Sequence, residues 1–191
     1  MKSRHIVIKG VKKMEITYKF YDKLNDKGLE EQIMELLLET DHEFLPSLSS
    51  KRTRWGKDKT QKDLLEIYLE QKKNENQFIL AFDGDKVVAF LNFIPRYYLG
   101  IAGNYSLSHY IDTISVSKNY RNKGIANVLY DYIENQLPEE FSCNFLTVST
   151  WSTQETQKHI LEKKGYELLE VVEHARERDI HTLFYGKRRQ V

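Results

Sequence analysis

The chain has 191 residues, of which 40% are apolar and 30% charged, and its net charge is +1 at pH 7. These values fit a single folded domain over residues 1–191 with a sizeable core, and they exclude a disordered chain. The balanced charge gives no general attraction to nucleic acid or to an anionic membrane, and the single cysteine, Cys143, excludes an internal disulfide. Since the chain has neither a signal peptide nor an apolar stretch of about 20 residues, we expect a soluble, cytoplasmic protein.

Hydrophobic periodicity predicts strands and helices along the whole chain. Short apolar or alternating runs indicate strands, and apolar residues at helical spacing indicate helices. In chain order the predicted elements are a strand at 15–20, helices at 28–39 and around 64–69, strands at 78–82, 87–94 and 111–116, a helix at 125–137, a strand at 145–150, a helix at 153–164, and strands at 166–174 and 180–185. This order, β-α-α-β-β-β-α-β-α-β-β, indicates an α+β fold.

Turn residues mark the boundaries between these elements. Asp83-Gly84-Asp85 predicts a tight hairpin, and Gly165 predicts the end of the last helix. A proline and several serines predict a loop at 41–52. We interpret 95–109 as an aromatic connection and 187–189 as a solubilising tail.

A basic turn joins the strand that ends at Val116 to the helix that follows Gly124. A strand that enters a helix in this way leaves the first helical N–H groups without partners and aimed at one point. Arg121 and Lys123 add positive charge, while Gly124 and Ala126 let an anion approach the backbone closely. The pattern indicates a diphosphate-binding loop. The alternative is an ordinary turn with solvated basic residues.

The segment Val116–Ala126, in the form Val-x4-Arg-x-x-Gly-x-Ala, resembles the acyl-CoA-binding motif of the GNAT superfamily of acetyl-CoA-dependent N-acetyltransferases. Many members have Gly where Asn122 and Ala126 stand here, and Asn accepts left-handed conformations better than most residues. The element order is also that of a GNAT fold, so the resemblance covers roughly residues 14–187. It implies a mixed, strongly twisted central sheet with helices on both faces and a phosphate-binding β-loop-α unit.

The resemblance implies acetyl-CoA as co-substrate and no metal. In the family, the pantetheine arm lies beside the strand that precedes the loop, and one N–H of that strand polarises the thioester carbonyl. The diphosphate would be bound by Arg121, Asn122, Lys123, Gly124, Ile125 and Ala126, and the pantetheine arm by Ile114, Ser115, Val116, Ser152 and Gln154. An ordinary buried strand would account for Ile114 and Val116 equally well.

Acetyl transfer to an amine requires a base, because an ammonium group has no lone pair with which to attack. Strand alternation places Tyr110, Asp112 and Ile114 on one face, and GNAT enzymes often carry their base on this strand. The resemblance therefore makes Asp112 the leading catalytic residue. The alternative is a carboxylate that pairs with a nearby Lys or Arg, or one that binds substrate without proton transfer.

The chain departs from the family pattern at the position of the usual general acid. Many members have a Tyr in the helix after the next strand, and Leu161 stands at that position here. Leu161 cannot donate a proton to the departing CoA thiolate, although a thiolate is a fair leaving group at neutral pH. His159 lies two residues earlier and is interpreted as a surface residue.

The acceptor is expected at the loop that begins with Asp41-His42-Glu43. Acidic and imidazole groups there would suit a cationic amine, and the alternative is a helix end with solvated charges. Tyr97, Tyr98 and Tyr105 are expected to line the opposite wall or to cover the sheet edge. The spacing of the six histidines does not suit metal ligation.

The resemblance implies an enzyme that transfers an acetyl group from acetyl-CoA to a primary amine of a small molecule, a peptide or a protein. The alternative is a non-catalytic acyl-CoA-binding or sensing module of the same fold, which Leu161 favours. The basic run at 51–59 could bind nucleic acid, but it alternates with Thr, Gly and Asp, and we interpret it as solvated. GNAT domains often dimerise through their terminal strands, so a homodimer is a further expectation.

Overall fold

The computed structural model describes residues 15–50, 58–100, 107–177 and 179–189. Its strands are β1 (Ile16–Tyr21), β2 (Gln77–Asp83), β3 (Lys86–Tyr98), β4 (Leu107–Val116), β5 (Phe145–Trp151), β6 (Glu167–Glu177) and β7 (Ile180–Arg188). Its helices are α1 (Lys27–Thr40), α2 (Gln61–Glu75), α3 (Ile125–Asn135) and α4 (Glu155–Lys163). Most of the basic run at 51–59, and Tyr105, lie outside the described residues.

The strands form a seven-stranded sheet in the order β1-β2-β3-β4-β5-β7-β6. β4 and β5 are parallel, whereas the pairs β1–β2, β5–β7 and β6–β7 are antiparallel. The mixed sheet and the element order confirm the predicted α+β fold. None of the helices in the described part of the chain is long and apolar enough to cross a membrane.

The chain divides into two compact units, the first formed by residues 1–92 and 113–133. In this unit, Asp26 caps α1 by accepting a hydrogen bond from the Leu29 N–H at 3.1 Å. The apolar faces of α1 and α2 pack against one face of β2, where Phe78 and Leu80 are buried. Ile79, on the opposite face of β2, is also fully buried. Because both faces are covered, β2 reads as a continuous apolar run.

The second unit consists of residues 93–112 and 134–191. Its α4 ends in a Schellman motif, in which the N–H of Gly165 bonds the Glu162 carbonyl and that of Tyr166 bonds the Leu161 carbonyl. Gly165 has a φ of +76°, a conformation that L side chains rarely adopt. The predicted helix terminator is thus confirmed.

The structure corrects the interpretation of 187–189 as a solubilising tail. Lys187 forms a 2.7 Å ion pair with the buried Glu134. Arg189 donates to the Glu134 carbonyl at 2.6 Å, and Arg188 lies over the Phe145 ring, its cross-strand neighbour. These residues belong to β7 and its immediate continuation. Since they bind polar groups at the end of α3 and cover β5, their role is structural.

The structure also corrects the start of the predicted connection at 95–109. β3 continues through Pro95 to Tyr98, and β4 begins at Leu107. Pro95 falls just before Arg96, which has a φ of +50°. Proline is tolerated in sheets where the regular hydrogen-bond ladder is interrupted, and the Arg96 N–H bonds a histidine ring nitrogen instead of a strand carbonyl.

Candidate active site

The last four residues of strand β4 bury their polar side chains and leave their apolar ones half-buried. Thr113 and Ser115 are only 4% exposed, whereas Ile114 and Val116 are half-buried. A strand normally places its apolar residues toward the core. The inverted pattern leaves an apolar face on the strand segment that the sequence assigns to the pantetheine arm.

Hydroxyl groups from α1 and α2 stabilise the polar face of β4. Tyr68 of α2 forms a short hydrogen bond with Thr113, and Thr40 of α1 pairs with Ser115 at 2.9 Å. Buried hydroxyls are costly unless they are hydrogen-bonded, so these pairs account for the burial of both strand residues.

The loop after β4 has the backbone geometry of an anion cradle. Asn122 has a φ of +59° and Gly124 a φ of +77°, and a Cβ built on Gly124 would meet no heavy atom within 4 Å. α3 then begins, with the Val128 N–H bonded to the Gly124 carbonyl at 3.1 Å. The N–H groups of the first helical turn, starting at Ile125, therefore have no carbonyl partner within the helix. Open space above the glycine and a helix N-terminus together suit a diphosphate.

The two cationic side chains of this loop bind protein atoms. The Arg121 Nε donates to the Val116 carbonyl at 3.1 Å, and its Nη2 donates to both carboxylate oxygens of Glu43 at 2.8 and 2.9 Å. Lys123 donates to the Asn119 carbonyl at 2.6 Å. Both side chains thus stabilise the loop, and backbone N–H groups are the donors best placed for an anion.

Two glutamates near the end of α1 hold the loop, and the sequence reasoning missed this function for both. Glu39 accepts a hydrogen bond from the Lys118 N–H at 2.7 Å and one from the Ser117 hydroxyl at 3.4 Å. Glu43 binds Arg121. An acidic residue in the last turn of a helix opposes the helix dipole, so the position of Glu39 is a signal that a partner lies elsewhere.

The acidic segment predicted to attract the acceptor has other partners. Asp41 is buried and accepts hydrogen bonds from the Ser49 N–H and hydroxyl, at 3.0 and 2.6 Å, and from the Gln61 side chain at 2.9 Å. Glu43 is paired with Arg121, and His42 is exposed. The segment is therefore neither a free anionic wall nor a solvated helix end, since it fixes the loop between α1 and α2.

In the second unit, the predicted base lies on the half-buried face of β4. Asp112 and Tyr110 are partly exposed, whereas Ile111 between them is buried, as alternation predicts. The Tyr110 hydroxyl hydrogen-bonds the Ser149 hydroxyl of β5 at 2.7 Å. The assignment of Asp112 as the base stays a prediction.

Ser152 and Gln154 lie between β5 and α4. The Ser152 N–H donates to the His181 carbonyl at 2.9 Å, and the Ser152 hydroxyl accepts from the His181 N–H at 3.1 Å. Gln154 precedes the first residue of α4, and its side chain does not cap the helix. Ser152 can still donate its hydroxyl proton. The contribution of His181 was missed because it comes from a distant strand.

Leu161 stands at the position of the family's usual general acid. It is fully buried on the inward face of α4. His159 is exposed, as predicted. Within the described ranges, no group of three His, Cys, Asp or Glu side chains is arranged to hold a metal ion.

Comparisons with known proteins give a family for this chain. Residues 31–166 match the model of a family described as the acetyltransferase (GNAT) family. A comparison with curated proteins finds no match. The matched range begins in α1 and ends after α4, so it includes the whole of the phosphate loop.

Solved structures share the fold at low sequence identity. A GNAT-family acetyltransferase from Bacillus cereus is 12% identical, with a TM-score of 0.63 over 92% of this chain and 99% of the other. The aminoglycoside 6′-N-acetyltransferase from Enterococcus faecium is 18% identical, with a TM-score of 0.63 over 92% and 98%. An aminoglycoside 6′-N-acetyltransferase complexed with coenzyme A is 18% identical, with a TM-score of 0.62 over 92% and 98%. At these identities the similarity shows the fold.

Proposed function

Because the chain belongs to the acetyltransferase (GNAT) family, we propose that it transfers an acetyl group from acetyl-CoA to a primary amine. One structural neighbour is complexed with coenzyme A, which supports the choice of donor. The observation that carries the proposal is the loop before α3, where left-handed Asn122 and Gly124 lead into the open helix N-terminus.

Each set of residues has its own task in this proposal. Acetyl-CoA supplies the thioester carbonyl that the amine attacks. The N–H groups of the α3 N-terminus hold the diphosphate, and the apolar face of Ile114 and Val116 packs against the pantetheine arm. Asp112 takes the proton that the ammonium must lose before it attacks, directly or through a water molecule. Leu161 has no proton to give, so the sulfur leaves as a thiolate.

The first test is the melting temperature with acetyl-CoA, CoA and ATP at equal concentrations. A ligand that binds only the folded state raises the melting temperature. We expect a rise with both CoA species and none with ATP. No rise with either CoA species would refute the donor assignment.

A loop variant makes this test specific. Gly124→Val should abolish the rise, because a β-branched residue is strained at a φ of +77° and its side chain would fill the open space. Gly84→Val is the matched control, since Gly84 also has a positive φ and open space but lies in the β2–β3 hairpin. If both variants kept the full rise, the loop would not hold the diphosphate.

A non-catalytic acyl-CoA-binding module is the second candidate, and the buried Leu161 favours it. Thiol release from acetyl-CoA in the presence of an amine panel separates the two functions. An enzyme releases thiol with at least one amine, and a binding module shows the same thermal shift without amine-dependent release. The homodimer, the single domain and the cytoplasmic location stay predictions.

A further inference from the structure

The end of β3 has a strained backbone beside exposed aromatic residues. Arg96 has a φ of +50°, although it is neither Gly nor Asn, and it lies between Pro95 and Tyr97 in the second unit. Such conformations persist only where the surroundings enforce them, and they are common at ligand sites. Tyr97 and Tyr98, the next two residues, are 39% and 71% exposed.

A buried histidine enforces the strained backbone. The His109 Nδ1 accepts a hydrogen bond from the Arg96 N–H at 3.2 Å, so its Nε2 carries the proton and donates to the Phe141 carbonyl at 2.8 Å. His109 is 1% exposed, and its ring centroid lies 4.9 Å from that of Phe93. Burial lowers the pKa of His109, which keeps the ring neutral and its Nδ1 an acceptor.

This arrangement places Tyr97 against Tyr110 of β4. Their ring centroids are 5.4 Å apart with a tilt of 39°, and the Tyr110 hydroxyl is anchored to Ser149. Asp112 lies two residues beyond Tyr110, on the same face of the strand. We call Tyr97, Tyr110 and Asp112 the aromatic–carboxylate face.

We propose that the aromatic–carboxylate face binds the acceptor as an alkylammonium, an ammonium group at the end of a methylene chain. The assignment of this cation as the acceptor depends on the proposed function. Tyrosine rings attract a cation to their π faces, and their apolar surface covers the methylene groups beside it. The carboxylate of Asp112 attracts the same cation by charge.

The class of amine follows from the chemistry of the face. Two rings and one carboxylate recognise a single cation with an apolar stem, such as a lysine side chain or a polyamine end. An aminoglycoside amine is surrounded by hydroxyl and further ammonium groups, which require a larger set of hydrogen-bonding partners. The aromatic–carboxylate face therefore does not suit an aminoglycoside, although an aminoglycoside 6′-N-acetyltransferase shares the fold of this chain.

A binding experiment without turnover tests the face directly. NMR titration would compare n-butylammonium with its uncharged analogue n-butanol on the full chain and on Tyr97→Leu, Tyr97→Phe and Tyr98→Leu. Tyr97→Phe keeps the ring, and Tyr98→Leu is the matched control because strand alternation points Tyr98 to the other face. We expect Tyr97→Leu to weaken butylammonium binding about fivefold, and the other two less than twofold.

Three results would overturn the proposal. They are equal binding of butanol and butylammonium, equal losses in Tyr97→Leu and Tyr97→Phe, and an equal loss in Tyr98→Leu. The titration needs no CoA, so a protein that fails to bind CoA would refute the proposed function and leave this test readable. With turnover, spermidine and a single-lysine peptide should each show a lower KM than kanamycin, and the reverse order would contradict the alkylammonium class.

Discussion

Arg121 contributes to the phosphate loop mainly by holding its backbone. Its guanidinium joins the Val116 carbonyl at the start of the loop to Glu43 in the α1–α2 connection. Because Glu43 offsets its charge, the affinity for a diphosphate should come chiefly from backbone N–H groups. This differs from a cation that binds the phosphates on its own.

The Arg121–Glu43 pair can be tested by a double-mutant cycle. Arg121→Ala and Glu43→Ala should each weaken CoA binding about fivefold, and the double variant should be no weaker than Arg121→Ala alone. The expected coupling is about 1 kcal/mol. Calorimetric titration with CoA measures it, and Glu35→Ala, an exposed residue of α1, is the control. Additive losses would show that the two residues act separately.

A substitution at Asp112 should lower the rate of acetyl transfer without changing the affinity for CoA. Asp112→Asn keeps the shape of the side chain and removes the proton acceptor, so kcat should fall about 10²- to 10⁴-fold. CoA affinity, measured by the same calorimetric titration, should not change. Wild-type turnover in this variant would assign the proton transfer to another group.

Sequence periodicity predicts the helices and strands well wherever neighbouring residues in the chain determine where they begin and end. The helix end at Gly165 follows from local backbone chemistry. The extension of β3 past Pro95 does not, because it depends on His109, which lies 13 residues further along the chain. Tertiary contacts outweigh local rules at that point.

Histidine 109 joins three elements, β3, β4 and the turn at 139–141, and should make stability depend on pH. Its folded-state pKa is lowered, chiefly by burial, with further lowering from Arg189 and Arg96. The unfolded chain therefore binds more protons below about pH 6.5. The stabilisation from neutral His109 is present above that pH and is lost as the pH falls toward the folded-state value.

Urea unfolding between pH 8 and pH 5 measures this contribution. The free energy of unfolding should decrease as the pH falls below about 6.5. His109→Gln, which cannot titrate, should be less stable at pH 8 and should show a smaller decrease. The same decrease in both proteins would assign the pH dependence to other groups.

At the scale of the whole molecule, the phosphate loop could be predicted because its residues are contiguous in the sequence. The residues that hold the loop in place could not be predicted, because they are distant in the sequence. Glu39 and Glu43 lie 78 or 79 positions before the residues they bind. Likewise, Lys187 reaches Glu134 across 53 positions. A single sequence does not identify the partners in such pairs. The helix-end position of Glu39 indicates that a partner exists but not where it lies, and Glu43 and Lys187 alone are each consistent with a solvated surface.

The Lys187–Glu134 pair should contribute to the stability of the whole fold. The Glu134 side chain is 7% exposed, so Lys187→Met would leave a buried carboxylate without its ion pair. We expect a loss of about 3 kcal/mol in the free energy of unfolding. Chemical denaturation measures it against Lys163→Met, an exposed residue of α4. Lys187→Met with Glu134→Gln should recover part of the loss, and equal effects of the two Lys→Met changes would contradict the prediction.

The inverted pattern of β4 has a consequence for how the chain folds. A shift of one residue in register would bury Ile114 and Val116 in place of Thr113 and Ser115, although it would also expose Ile111 and bury Asp112. The native register depends on hydroxyl partners from α1 and α2, so this strand is locally frustrated until both helices are in place. β4 should therefore join the sheet late, and removing those hydroxyls should add a slow refolding phase from misregistered chains.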